Sequence, residues 1–111
     1  MTVEETLAAL VDRFNRHTER SPGVREELRG LERTIAIRLT DLGEYSVELR
    51  DGRLLNLKSG HLDRASVTIT TDSRTFDGLV RKEIGPMKAL VTRKLVLDGS
   101  LEDKLLFRKL L

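Results

Sequence analysis

The stretch that decides the fold class is residues 34–58, TIAIRLTDLGEYSVELRDGRLLNLK. Apolar and polar side chains alternate along residues 34–40 and again along residues 45–50. A period of two is typical of β-strands with one buried face. Residues 41–44 predict the turn between these strands, and residues 53–58 predict a third strand. The stretch therefore predicts a three-stranded unit with one apolar face.

The turn between the second and third strands has two interpretations, which differ in the length of the loop. A loop of two residues, Asp51 and Gly52, would move Leu55 and Leu57 to the polar side of the strand. A loop of three residues, beginning one residue earlier, would place Leu57 opposite Tyr45 and keep a single apolar face. We therefore predict the three-residue loop, with Gly52 in the left-handed conformation as a bulge.

Helical spacing precedes this stretch. Thr2 and Glu5 fit a capping box, and the apolar residues that follow predict a helix over about residues 3–17. Ser21-Pro22 marks the start of a second, short helix, because serine is a good N-cap and proline suits the first turn. Gly30 is its expected stop.

Strand and helix signals also alternate after residue 58. The signals are a strand at residues 66–70, a helix capped by Asp72, a helix started by Gly85-Pro86, a short strand at Leu95 and Leu97, and a final helix over about residues 101–111 capped by Ser100. The order is α-α-β-β-β-β-α-α-β-α. Because the first four strands are consecutive and mostly hairpin-linked, we expect them to be antiparallel.

The fold class that follows is α+β. We predict a five-stranded, mainly antiparallel sheet with helices covering one face. The chain has 111 residues, which favours one domain over residues 1–111.

Composition excludes several classes of function. The net charge is +2, and one Tyr, three Phe and no Trp are too few for a base-stacking platform, so we expect no nucleic acid partner. No cysteine is present, which rules out disulfides and cysteine metal sites. No apolar run approaches the roughly 20 residues needed to span a bilayer, and the acidic N-terminus is unlike a signal peptide.

The residues that could act in catalysis or bind a metal form no recognisable motif. His17 suits the end of the first helix. His61 lies two residues before Asp63 in a predicted loop, but a metal site or an acid–base pair needs further groups. We assign no catalytic residue, no metal ligand and no cofactor. A small enzyme with an apolar pocket, using Asp63 or His61 as its base, remains one hypothesis.

The unusual feature of the last third of the chain is its apolar content. Apolar residues recur at helical spacing in three stripes: Phe76, Leu79, Val80 and Ile84; Met87, Leu90 and Val91; and Leu101, Leu105, Leu106, Phe107 and Leu110. A small sheet needs about two helices as cover. The apolar side chains beyond this need allow three interpretations: a thick core, a dimer interface, or the lining of a cavity for an apolar ligand.

The C-terminal segment resembles the sterol carrier protein 2-like family. The resemblance rests on Val67-Thr-Ile-Thr-Thr-Asp72, Phe76-x-x-Leu79-Val80, Gly85-Pro-Met-x-Ala-Leu90 and Lys94-Leu-Val-Leu-Asp-Gly-Ser100. The N-terminal elements also occur in the family's order. The sequence departs at Arg93, where glycine is common, and at Ser100, where an acidic residue is common. Arg93 suggests a different backbone or cavity edge at that point.

The resemblance implies an apolar tunnel between sheet and helices that carries lipids without catalysis. The implied lining residues are Phe76, Leu79, Val80, Ile84, Met87, Leu90, Val91, Leu105 and Phe107, with Val47 and Leu49 as additions from the sheet. Lys88, Arg93 and Lys94 could meet an anionic head group. The expected ligand is a lipid, fatty acid or acyl-CoA, and transient contact with a membrane surface and a homodimer stay open.

The resemblance also bears on the protein's location in the cell and on the main alternative to lipid binding. The chain ends in Arg108-Lys-Leu-Leu111 rather than in the family's peroxisomal address, so a cytoplasmic protein is expected. The alternative is a protein-interaction or dimerisation module whose core is filled and holds no ligand.

Overall fold

The order of helices and strands is the one predicted from the sequence. A computed structural model of the chain describes the backbone of residues 2–110 and the side chains of residues 2–107. Its elements are α1 Val3–Arg20, α2 Pro22–Leu28, β1 Glu32–Leu39, β2 Gly43–Arg50, β3 Arg53–Ser59, β4 Val67–Thr71, α3 Ser73–Val80, α4 Pro86–Val91, β5 Leu95–Gly99 and α5 Leu101–Leu110. None of the described helices is long and apolar enough to span a membrane.

Three helices begin at the caps predicted for them. The Thr2 side chain accepts from the Glu5 N–H, and the Glu5 carboxylate accepts in return from the Thr2 backbone, so the capping box is complete. Asp72 Oδ1 accepts from the Thr75 N–H at 2.7 Å and starts α3. Ser100 Oγ accepts from the Asp103 N–H at 3.1 Å and starts α5. These bonds satisfy N–H groups that the first helical turn leaves without partners.

The sheet has the order β3-β2-β1-β4-β5, and β4 runs parallel to β1. The expectation that the first four strands are antiparallel is therefore wrong for β4, although the other three neighbouring pairs are antiparallel. After β3 the chain crosses back to the free edge of β1 instead of extending the hairpin. Ser66 holds the end of this crossing against β1, because its N–H donates to the Thr34 carbonyl at 2.8 Å.

The turn between β2 and β3 has two residues, so the predicted three-residue loop is wrong. Asp51 and Gly52 have φ values of 48° and 80°, which is typical of the type I′ hairpin turn. Leu49 consequently pairs with Leu54. This register alone would place Leu57 on the polar face of the sheet.

A bulge further along β3 restores the apolar face. The pairing between β2 and β3 shifts between Ser46 and Glu48, opposite Asn56. Asn56 takes a left-handed φ of 56°, and its amide donates to the Glu48 carboxylate. The extra residue brings Leu57 onto the same face as Leu54, where both pack against the core. The single apolar face was predicted correctly, but the irregularity that produces it lies at Asn56 rather than at Gly52.

All five helices pack on one face of the sheet, as predicted. Each helix adds apolar side chains to clusters built on the sheet, and the residues that do so include Leu7, Leu28, Phe76, Leu90 and Phe107. The opposite face carries mostly polar side chains, such as Arg38, Ser46 and Thr68. The result is a two-layer α+β domain.

Two helices end in the same hydrogen-bonded motif with an unusual residue. At the end of α4, the Lys94 N–H donates to the Ala89 carbonyl and the Arg93 N–H donates to the Leu90 carbonyl. This is the Schellman arrangement, in which the left-handed position is commonly glycine. Here Arg93 holds that position with φ of 61°. Arginine here adopts the conformation that glycine favours, and a different backbone or cavity edge at Arg93 stays a prediction.

The end of α3 repeats the motif. Lys82 holds the left-handed position with φ of 61°, and the Glu83 N–H donates to the Gly78 carbonyl at 2.8 Å. A residue with a Cβ pays about 1–2 kcal/mol in this conformation. Both helix ends therefore carry backbone strain.

We expect Arg93→Gly to stabilise the protein. The relieved strain is about 1–2 kcal/mol, and the extra freedom of glycine in the unfolded chain offsets about 0.5–1 kcal/mol of it. The free energy of unfolding should rise by about 0.5–1 kcal/mol, measured by denaturant titration. Lys88→Gly, inside α4, is the control and should lower it by about 1 kcal/mol. A destabilised Arg93→Gly variant would contradict the strain at this position.

Candidate functional site

The centre of the covered face is less buried than its surroundings. Ile37 of β1 pairs with Ile69 of β4 at the middle of the sheet, and both side chains are only partly buried. Their neighbours on the same face, along the same strands, are 0–4% exposed: Ile35, Leu39, Val67 and Thr71. The middle of a central strand is ordinarily its most buried part. The helices therefore cover Ile37 and Ile69 less completely than their neighbours, and we call this less covered area the gap.

The apolar clusters divide at the same place. One cluster is centred on Leu28, Val47 and Leu49, and the second is centred on Leu7, Leu39 and Tyr45. Two partly buried residues, Ile37 and Leu57, pack against both clusters. The two clusters therefore share residues that are only partly buried, and Ile37 is one of them.

Helix α3 packs against the second cluster, which also contains Leu7 of α1. Its Phe76 packs against that cluster and is partly buried. Leu79, Val80 and Ile84 are also partly buried. Ile84 folds back over α3 at Gly78, where an added Cβ would lie 2.5 Å from Ile84 Cδ1. Glycine at this position lets the chain after α3 approach the helix closely.

Helices α4 and α5 pack against β5. Leu90 of α4 and Phe107 of α5 pack against the first cluster. The start of α5 is tied to β1 by an ion pair between Arg33 Nε and Asp103 Oδ1 at 2.8 Å. Both partners are largely buried, with side chains 26% and 10% exposed.

The structure separates the predicted lining residues into three groups. Phe76, Leu90 and Phe107 pack against the clusters. Leu79, Val80 and Ile84 are partly buried. Met87, Val91 and Leu105 are 48%, 79% and 50% exposed, so they lie on the outside of their helices. Val47 and Leu49, the predicted additions, are 4% and 0% exposed within the first cluster.

No pattern in the sequence marked the two central isoleucines as site residues. Alternation placed Ile37 and Ile69 on the apolar face together with the other inward residues of their strands. Only the arrangement of the helices determines which inward residues stay accessible. Their central position depends on the parallel pairing of β1 with β4, which was not predicted from the sequence.

Polar groups bordering the apolar face are bonded within the protein. The Tyr45 hydroxyl donates to the Glu4 carboxylate at 3.0 Å, and the Thr71 hydroxyl donates to the Lys94 carbonyl at 2.8 Å. Burial, and then the neighbouring Glu4, raise the pKa of Tyr45, so its proton is retained. No buried side-chain polar atom in the described residues lacks a partner. The face therefore offers a ligand apolar contact.

The start of α3 is anchored by two carboxylates. Asp72 accepts from the Thr75 N–H, which lowers the pKa of Asp72. Asp41 accepts from the Ser73 hydroxyl and from the Ser73 N–H, and these bonds lower the pKa of Asp41. Ionised carboxylates suit a helix N-terminus. This anchoring fixes the end of α3 from which Phe76 projects.

His61 and Asp63 meet, but on the far side of the sheet. His61 Nε2 lies 3.1 Å from Asp63 Oδ1, and His61 Nδ1 lies 2.9 Å from Glu44 Oε2. Glu44 also accepts from Arg38, and both belong to the face opposite the helices. The His61 group is thus separated from the apolar gap by the sheet. Among the described residues, no group of three or more His, Asp or Glu could hold a metal ion.

Two surface depressions also lie away from the apolar gap. One is lined by residues of α2 with Asp51, and the other by residues 38–44 with Thr70. Neither contains a residue predicted to line a tunnel. The tunnel itself stays a prediction, supported by the gap over Ile37 and Ile69.

Comparison with known proteins assigns the family. A family model described as the SCP-2 sterol transfer family matches residues 12–111. A comparison with curated protein sequences finds no significant match.

Solved structures share the fold. A palmitated SCP2L2 protein from Aedes aegypti is 16% identical, with 99% of this chain and 94% of that chain covered and a TM-score of 0.75. A crystal structure of sterol carrier protein 2 is 19% identical, with coverage of 87% and 82% and a TM-score of 0.61.

An enzyme contains a similar unit. A double mutant of the sec-alkyl sulfatase PisA1 from Pseudomonas sp. is 25% identical over 78% of this chain, with a TM-score of 0.63. The chain spans only 14% of that enzyme's length. The similarity concerns a small part of the sulfatase.

Proposed function

The chain belongs to the SCP-2 sterol transfer family, and from this premise we propose that it binds and transfers a lipid through the gap over Ile37 and Ile69. The ligand class we propose is a fatty acid or a fatty acyl ester, held by its alkyl chain. The partial burial of these two isoleucines at the centre of the covered face is the observation that carries the proposal. No catalysis is part of it.

The chemistry of the gap supports an alkyl chain. Polar groups around the face already have partners within the protein, as for Tyr45 with Glu4 and Thr71 with Lys94. A buried hydroxyl or carboxyl of a ligand would lose its hydrogen bonds to water without replacement there, at a cost of about 1–3 kcal/mol or more. We therefore propose that the head group stays at the mouth and the alkyl chain enters the gap.

Burial of methylenes supplies enough free energy. Each buried methylene contributes about 0.8 kcal/mol, so about ten contribute on the order of 8 kcal/mol before the costs of binding. Micromolar affinity corresponds to about 8 kcal/mol net. Because binding costs at least about 4 kcal/mol, about fifteen buried methylenes, contributing about 12 kcal/mol, would suffice for micromolar affinity without specific polar contacts.

The lining we propose combines the two central isoleucines with the inward part of the predicted set. It consists of Ile37 and Ile69 as the floor, with Phe76, Leu79, Val80, Ile84, Leu90 and Phe107 from the helices. Met87, Val91 and Leu105 are left out, because they are 48–79% exposed on the outer side of their helices.

We expect Ile69→Trp to remove lipid binding. The larger side chain would occupy the gap and exclude several methylenes, so the affinity for a fluorescent long-chain fatty acid should fall at least about tenfold. Thr68→Trp is the matched control, because Thr68 is the preceding residue of β4 and points to the opposite face. The affinity of this variant should stay within about twofold of the parent's.

Native mass spectrometry of the purified protein separates the carrier from the filled-core alternative. A stoichiometric adduct of lipid mass, lost in Ile69→Trp and kept in Thr68→Trp, is the expected result. A bare protein that also fails to bind the fluorescent fatty acid would contradict lipid carriage and leave the interaction module. Thermal unfolding of each variant shows whether the fold is intact.

A further inference from the structure

The free edge of β3, at one end of the sheet, is closed by α1. Asn15 Nδ2 donates to the Leu54 carbonyl at 3.0 Å, and the Leu54 N–H donates to Asn15 Oδ1 at 2.7 Å. A further strand would have to bond these same backbone groups. The bulge at Asn56 interrupts the edge again. Covered and bulged edges do not readily accept another strand.

The free edge of β5, at the other end of the sheet, has no such protection. β5 pairs with β4 without a bulge, from Val67 with Gly99 to Thr71 with Leu95. In the part of the chain that the structure describes, no backbone hydrogen bond joins residues 95–99 to any element other than β4. A regular edge strand with unpaired N–H and C=O groups is a template for pairing with another chain.

The sequence of β5 is complementary to itself. Residues 94–98, KLVLD, have a cation at one end, a carboxylate at the other and Val96 in the middle. In an antiparallel pair of β5 strands centred on Val96, Lys94 of each copy lies opposite Asp98 of the other. The two Val96 side chains then lie opposite each other. Opposite charges and apolar β-branched residues are favourable cross-strand pairs.

This register also keeps each side chain on its proper face. Leu95 and Leu97 are 3% and 8% exposed beneath the helices, whereas Val96 is 38% exposed. A centre at Leu97 would place Val96 opposite Asp98, and a centre at Leu95 would place it opposite Lys94. Only the Val96 centre pairs apolar with apolar and cation with carboxylate.

The charges that flank β5 extend this complementarity. Residues 85–94 carry only cations, and residues 95–103 carry only carboxylates: Lys88, Arg93 and Lys94 before, and Asp98, Glu102 and Asp103 after. Asp103 is already paired with Arg33, but Asp98 and Glu102 are exposed. Antiparallel pairing places the segment before β5 in one copy beside the segment after β5 in the other. A cationic segment therefore meets an acidic one twice, once on each side of the two-fold axis.

The same symmetry gives a partner to exposed apolar side chains. Val91 at the end of α4 is 79% exposed, and Leu101 at the start of α5 is 74% exposed. These two positions flank β5, so the antiparallel pair would bring Val91 of one copy towards Leu101 of the other. Large apolar side chains that stand this far out of a monomer are typical of interaction surfaces.

We propose that two copies of the chain associate through antiparallel pairing of their β5 strands, in the register centred on Val96. The two five-stranded sheets then join into one continuous sheet with a two-fold axis beside Val96. This goes beyond lipid carriage, because it concerns an external edge and does not require an open gap. None of the residues that make the contact belongs to the proposed lining of the gap.

Analytical ultracentrifugation of the full chain tests the proposal. The parent should sediment as a reversible dimer at micromolar concentrations, and Val96→Lys should raise the dissociation constant at least about tenfold, because two cations would face each other on the axis. Ser59→Lys is the matched control, since it adds the same charge to an exposed position on β3, at the closed edge. Its dissociation constant should stay within about twofold of the parent's.

A charge exchange tests the register. Lys94→Asp and Asp98→Lys should each weaken the dimer at least about fivefold, because each places like charges opposite one another twice. The chain that carries both substitutions should recover the parent's dissociation constant within about twofold. Positions 94 and 98 are about 13 Å apart along one strand, so recovery reports contact between copies. Thermal unfolding of each variant shows that the fold is intact.

Three results would overturn the proposal. The first is a parent chain that stays monomeric at every concentration, and the second is a charge exchange that fails to recover the dimer. The third is a dimer that survives Val96→Lys but dissociates in Val91→Gln with Leu101→Gln, because helices alone would then form the contact. Fatty-acid binding is measured separately on the same variants, so its failure and the failure of the dimer are distinguishable.

Discussion

Asp103→Ala is expected to lower the free energy of unfolding by about 2–3 kcal/mol. The Asp103 carboxylate is 10% exposed and lies 2.8 Å from the guanidinium of Arg33, which is 26% exposed. Removing one partner leaves the other charge partly buried without compensation, which costs more than the intact pair contributes. Denaturant titration followed by circular dichroism measures the loss.

Two variants show whether the loss comes from the ion pair. Glu102→Ala removes the neighbouring carboxylate, which is exposed, and should change the free energy of unfolding by less than about 0.5 kcal/mol. Arg33→Met combined with Asp103→Leu replaces the pair by apolar side chains and should recover most of the loss. A double variant as unstable as Asp103→Ala alone would mean that the pair is not its source.

Gly52→Ala is expected to cost about 2–3 kcal/mol. The φ of 80° at Gly52 strains any residue with a Cβ by about 1–2 kcal/mol. The added Cβ would also lie 2.9 Å from Thr18 Cγ2 and 3.7 Å from Leu28 Cβ, between the hairpin turn and the two N-terminal helices. Overpacking of such a site costs about 1–3 kcal/mol, part of which Thr18 can relieve by moving.

The matched control for Gly52 is Gly30→Ala. Gly30 has a φ of 73°, but an added Cβ would meet no atom within 4 Å. This variant should lose only the strain, about 1 kcal/mol. The difference between the two unfolding free energies isolates the packing of the turn. Equal losses would show that the backbone conformation alone fixes glycine at position 52.

Elements decided by local chemistry could be predicted from the sequence. Thr2, Asp72 and Ser100 each bond an N–H three residues further along the chain, so the start of each helix depends on residues that are adjacent in sequence. Strand alternation likewise identified the apolar face. Local rules of this kind sufficed for the fold class and for the order of the elements.

Pairing decided by distant residues could not be predicted in the same way. The free edges of β1 and β3 were both open to β4, and nothing within residues 60–66 distinguishes them. The bulge at Asn56 was missed because asparagine accepts a left-handed φ without requiring it. A glycine in the preceding turn was the stronger local signal, and it led to the wrong loop.

Only part of the candidate site could be predicted, again because distant residues decide the outcome. Helix α4 has six residues and is apolar on more than one side, so its spacing did not distinguish Leu90, which packs inward, from Met87 and Val91, which are exposed. Leu105 is likewise exposed while Phe107 is buried. The side of a short apolar helix that faces the sheet is set by tertiary packing.

The parallel pairing of β1 and β4 has a consequence for the newly synthesised chain. Thr34 and Ser66, which bond where this pairing begins, are 32 residues apart. On the ribosome, α1, α2 and the β1–β3 meander emerge first, while β1 is still a bare sheet edge beside exposed isoleucines. Such an edge recruits strands from other chains. The nascent protein is thus most prone to aggregate in the interval before residues 67–71 emerge and cover it.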